Sequence, residues 1–124
     1  MKTIFIRSGA FFALSGVMAR SLSSHAIRPF LIERDKLENF NLAADYLLLH
    51  GLALLAVAIL CHLFPEERYE RAGYLFVIGS LLFQGTVLAK SCVSIGPLGI
   101  LTPIGGFLLM IGWGLLMLNH LFKA

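Results

Sequence analysis

YLLLHGLALLAVAILCHLF, residues 46–64, runs for nineteen positions without a formal charge. That is the length one helix needs to cross the hydrocarbon core of a bilayer. A single imidazole, His50, lies well inside it, and Tyr46 shares its face one helical turn earlier.

Working outward, the same pattern recurs. Residues 3–19 form an apolar run flanked by Arg7 and Arg20, which can snorkel to opposite surfaces. Residues 72–89 form a third span ending at Lys90. After a link rich in Gly and Pro, residues 104–121 form a fourth. The fold expected is all-α: an integral membrane four-helix antiparallel bundle, one domain over residues 1–124, with spans about 3–19, 46–64, 72–89 and 104–121.

The composition agrees. Hydrophobic residues make up 58% of the 124 and charged residues 14%, well below the roughly 25% charge of a soluble domain. The ten Lys and Arg give a net charge of only +3 and are scattered, so nucleic acid is not an expected partner. The bilayer is. Four crossings put both termini on one side, here called the terminal side. That side receives Lys2, Arg7, Arg68, Arg71 and Lys123; the far side receives Arg20, Arg28, Arg34, Lys36 and Lys90. Five against five leaves the orientation open.

Between the first two spans lies the longest polar stretch, 20–43. Pro29 breaks a helix arriving from upstream. Asp35 and Glu38 have the spacing of an N-cap and third helical position, so the second helix is expected to begin near Lys36. Thr102-Pro103 reads likewise as N-cap and first residue of the fourth helix. Cys61 and Cys92 fall at opposite sides of the membrane, too far apart for a disulfide, and read as small buried hydrophobes.

Small residues recur at helical spacing: Gly9 and Gly16 in the first span, Gly79 and Gly85 in the third, Gly105, Gly106 and Gly112 in the fourth. Such residues let neighbouring backbones approach closely, and all seven are expected at helix contacts.

The candidate chemistry centres on His50, because an ionisable group inside a membrane is costly. Placed about two turns from the far side, it lies near the depth of Gln84. With Tyr46, His25, Lys90 and Thr102 these residues can form one polar cluster in the far half of the bundle. Two readings stand: interhelical hydrogen bonds that fix packing, or a site for a small ligand or proton. His62 and His120 fall near the terminal side. No two histidines have the same-helix spacing of a metal site, so neither metal nor cofactor is expected. Hydrolase and phosphate-binding signatures are absent from the sequence. Glu33, Asp35, Glu38, Asp45, Glu66, Glu67 and Glu70 all fall near helix ends. An enzyme is therefore not expected.

Three motifs carry a family resemblance: Y-x-x-x-H-x-x-A-L at 46–54, G-x-x-x-F-x-G at 79–85, and L-T-P-I-G-G followed by Gly112-Trp113. Together they resemble a domain-of-unknown-function family of small membrane proteins, found in bacterial inner membranes and including eukaryotic transmembrane protein 256. The resemblance spans nearly the whole chain. The family's small-residue motif ending in Ala-His appears here as Arg20-Ser21-Leu22-Ser23-Ser24-His25, with only the His kept. The resemblance implies the four-helix architecture and a multi-pass protein of the bacterial inner membrane, and no reaction. The function expected is a structural or accessory subunit, associating with itself or a larger membrane complex. The alternative is a small-ligand binding protein or carrier.

Overall fold

A computed structural model of the chain describes residues 3–123, with side chains through residue 119. Lys2, His120 and Lys123, invoked above as flanking or interfacial groups, lie outside the described side chains. Every element among the described residues is helical. In chain order these are α1 (Thr3–Ser24), the short α2 (Arg28–Glu33), α3 (Leu37–Leu63), α4 (Tyr69–Cys92), a 3₁₀ stretch (Gly96–Ile100) and α5 (Leu101–Lys123).

Three segments are long and apolar enough to cross a membrane: Leu37–Leu63, Tyr69–Cys92 and Gly96–Asn119. α1 is not among them, although its 22 residues suffice in length. Arg7, Arg20 and five serines lower its apolar content. The helices also outrun the expected spans. α1 continues through Arg20 to Ser24, and α3 begins nine residues before Tyr46. Apolar content marks where lipid can be; helix propensity and packing carry the backbone further.

The four long helices pack in sequence, α1 on α3, α3 on α4, and α4 on α5. Among the described residues α1 and α5 share no extensive contact. Glycines set the closest approaches. A Cβ on Gly9 would lie 2.7 Å from the Gly51 carbonyl oxygen, and one on Gly16 2.6 Å from that of Ala44. Numbering thus rises along α1 as it falls along α3. Across α4 and α5, a Cβ on Gly105 would press on the Phe83 amide nitrogen and lie 2.8 Å from the Gly79 carbonyl oxygen. One on Gly112 would lie 2.7 Å from the Phe76 ring. Gly51 and Gly73, not singled out from sequence, are also at contacts, Gly73 under the Phe5 ring. Gly85 is different. It is exposed, and the only atom near its Cβ position is the Ser80 carbonyl of its own helix at 3.9 Å. Spacing alone does not say which way a glycine faces.

Phe5, Phe12, Leu47, Leu54, Val57 and Phe76 form the main apolar core. A second cluster of Ala19, Leu31, Phe40 and Ala44 closes the far end, with Leu31 anchoring α2. Leu54, Val57 and Phe76 are fully buried. Large apolar side chains elsewhere face outward, including Phe11, Leu14, Leu52, Ile59, Phe107, Met110 and Met117. A core of this composition under an apolar exterior is what a lipid solvent selects.

Two expected capping roles are corrected, although the helices begin close to where they were expected. Asp35 is not the N-cap of α3; it follows α2, with φ +56°. Its amide donates to the Ile32 carbonyl (3.0 Å) and the Lys36 amide to that of Leu31 (2.9 Å). This is a Schellman ending with Asp35 in the left-handed position. Pro29 sits in the first turn of α2 and so starts a helix rather than only ending one. Thr102 is not an N-cap either: the 3₁₀ stretch runs directly into α5, leaving Thr102 already helical.

Candidate functional site

The polar core lies between α3, α4 and α5. His50 is thirteen residues from either end of α3, about 20 Å at 1.5 Å per residue. Ser80 and Trp113 are also near the middles of their helices. The imidazole is therefore at mid-length of α3, which starts at Leu37, ahead of its apolar run, as the Asp35 and Glu38 spacing led one to expect.

His50 is 3% exposed. Its Nε2 accepts from the Trp113 indole N–H at 3.1 Å. Its Nδ1 lies 2.9 Å from the Tyr46 carbonyl oxygen, a turn back on α3, and 3.1 Å from the Gln84 carboxamide of α4. An accepting Nε2 and a donating Nδ1 define the neutral tautomer protonated at Nδ1. Three aromatic rings surround the imidazole, at centroid distances of 5.5 Å (Phe76), 5.8 Å (Trp113) and 6.1 Å (Tyr46). Trp113 completes this group and was not part of the expected cluster. The available signal was a lone tryptophan whose N–H requires an acceptor away from water; its ring is itself part-exposed on the outer face.

The other expected members go elsewhere. Tyr46 reaches His50 through its backbone carbonyl, while its ring stacks on Phe83 at 6.0 Å. Thr102 bonds Thr86 across α4 and α5, oxygen to oxygen at 2.5 Å. Thr86 gives its proton to the Leu82 carbonyl, which makes Thr102 the donor. His25 is exposed in the turn after α1, and Lys90 is half-buried one turn from the end of α4. The six residues thus do not form one cluster: His50 meets Gln84 and Tyr46, and His25, Lys90 and Thr102 are distributed toward the far end.

Polar ties mark both ends as well. At the far end Ser23 donates to Asn41 Oδ1, and Arg20 pairs with Asp45 at 3.1 Å, both linking α1 to α3. Arg34 Nε donates to the Ser91 carbonyl at 3.0 Å, at the negative end of α4, with its guanidinium 5.1 Å from the Phe30 ring centre. At the terminal end Asn119 donates to Glu67 Oε2 (2.9 Å) and accepts from Arg71 (3.5 Å). Among the described residues no three His, Cys, Asp or Glu converge as metal ligands.

This arrangement holds helices together at three levels and offers no paired carboxylates or activated nucleophile. Comparison with known proteins agrees on the setting. The family described as "Protein of unknown function (DUF423)" matches residues 20–106. A UPF0382 membrane protein of Staphylococcus aureus is 30% identical over 115 residues, covering 93% of each chain. One from Schizosaccharomyces pombe is 32% identical over 113 residues, covering 85% of this chain and 93% of its own. One from Bacillus subtilis is 31% identical over 111 residues, 89% of each. No solved structure matches the chain.

Proposed function

This chain belongs to the DUF423 family, and from that premise we propose that it is a structural or accessory subunit of a membrane assembly rather than an enzyme. All four long helices cross the bilayer as an antiparallel bundle forming a single domain. α1 crosses because it is paired with α3 along Gly9 and Gly16. In bacteria the protein is a multi-pass component of the inner membrane, in keeping with relatives named as membrane proteins.

One observation carries this reading. The buried imidazole of His50 uses both ring nitrogens on side chains and backbone of the protein itself, joining α3 to α4 and α5. A ring so engaged is spent on packing. The outer faces of α1 and α5 are apolar, and the two helices share no extensive contact, which supports association with a second copy or another membrane chain at either flank.

Extraction of the tagged protein into native polymer discs tests the proposal. A stoichiometric partner or an oligomer well above 13.6 kDa supports it; a lone monomer overturns it. The alternative, a small-ligand binding protein or carrier, draws on two unpartnered polar atoms one turn apart on α4, Ser80 Oγ and Gln84 Oε1. It requires a small molecule that co-purifies with the intact chain and is lost in folded His50→Leu.

A further inference from the structure

Ser80 and Gln84 are both 0% exposed and stand one turn apart on the same face of α4. Ser80 Oγ and the Gln84 atom placed as Oε1 have no hydrogen-bond partner. Buried polar groups in a membrane interior are ordinarily satisfied, since no lipid group can replace water.

The chemistry of His50 fixes what the Gln84 carboxamide presents. Two bonds, from Trp113 to Nε2 and from Nδ1 to the Tyr46 carbonyl, require the proton on Nδ1. The Gln84 atom placed 3.1 Å from Nδ1 is the amide nitrogen. That would set one donor against another. The two ends of a carboxamide are assigned from their hydrogen bonds, and here the bonds demand the reverse: oxygen toward Nδ1, nitrogen in the unpartnered position. The two unpartnered positions, one turn apart on this face of α4, are therefore an NH₂ group and a hydroxyl, which together call for an acceptor.

We propose that a single water molecule is bound between Ser80 Oγ and the Gln84 carboxamide nitrogen, at mid-length of the helices. Its oxygen accepts from both the Gln84 amide and the Ser80 hydroxyl. An internal water needs at least two polar partners, and these two residues supply them. The site is independent of whether the protein serves as an accessory subunit.

Gln84 is the only glutamine in the chain, so selective ¹⁵N labelling isolates its side-chain amide. Water-edited solid-state NMR of the protein in vesicles of deuterated phospholipid reads contact with water directly. The expected result is polarisation transfer from water to the Gln84 NH₂, retained in Ser80→Thr and reduced severalfold in Ser80→Ala. Trp113 fluorescence verifies that each variant is folded. Absence of transfer in the intact chain overturns the site, as would transfer undiminished in folded Ser80→Ala. A Ser80 hydroxyl turned back onto its own helix, with a dry amide, gives the first of these negative results.

Discussion

The Trp113 indole N–H donates to His50 Nε2 at 3.1 Å, joining the last helix to the second of the four long ones. Replacing Trp113 with Phe keeps an aromatic ring and removes this donor. Interhelical hydrogen bonds in membranes average about 0.6 kcal/mol and reach about 1–2 kcal/mol, so a loss near 1 kcal/mol is expected in a reversible unfolding assay. The imidazole ¹⁵N spectrum should show Nδ1 protonated in the parent chain and a mixture of tautomers in Trp113→Phe. An unchanged spectrum would show that the indole does not set the tautomer.

Two glycine substitutions should differ in sign. In Gly105→Ala the new methyl meets the Phe83 and Gly79 backbones, which cannot rotate away. Overpacking of this kind typically costs about 1–3 kcal/mol. In Gly85→Ala the methyl enters open space on a helix, and the gain in helix propensity is up to about 1 kcal/mol. Thermal unfolding in one detergent ranks the pair; equal effects would contradict the packing described.

Asp35 is the one residue other than glycine with positive φ among those described. An L residue loses roughly 1–2 kcal/mol in that conformation, and Asp somewhat less because it tolerates it. Asp35→Gly should therefore raise stability by up to about 1 kcal/mol. Asp35→Ala, which keeps the strain, should not. A stabilised alanine variant would mean that charge rather than backbone conformation governs the position.

Crossing by α1 can be read from labelling. In a cysteine-free background, Thr3→Cys should react with an impermeant maleimide from the same side as Arg68→Cys. Ser24→Cys should react from the same side as Ser94→Cys. All four positions are exposed. Labelling of Thr3→Cys and Ser24→Cys from a single side would leave only three crossings.

Much of this architecture could be read from residues 46–64 and their equivalents, because lipid imposes length and apolarity on any segment that crosses it. Gly9 and Gly16 were legible for a related reason: two small residues seven apart on an otherwise bulky helix leave a groove. The early start of α3 was legible too: Asp35 and Glu38 placed it near Lys36, and Leu37–Asp45 continues the helix ahead of the apolar run, which leaves His50 central. The Asp35 error has a specific cause. Asp is favoured both before a helix and in the left-handed residue after one, and the six-residue α2 that decides between them has no strong pattern. Trp113 could not be assigned to His50 from sequence, since donor and acceptor stand 63 positions apart.

The glycine-mediated contacts divide the chain into two halves, α1 closed on α3 and α5 closed on α4, linked by the turn at residues 64–68. Each half is a hairpin of neighbours along the chain. During synthesis the first can therefore assemble in the membrane before the second has left the ribosome. The seam that then forms carries His50 on one side and Gln84 on the other, so docking of the halves is the event that removes the imidazole from lipid.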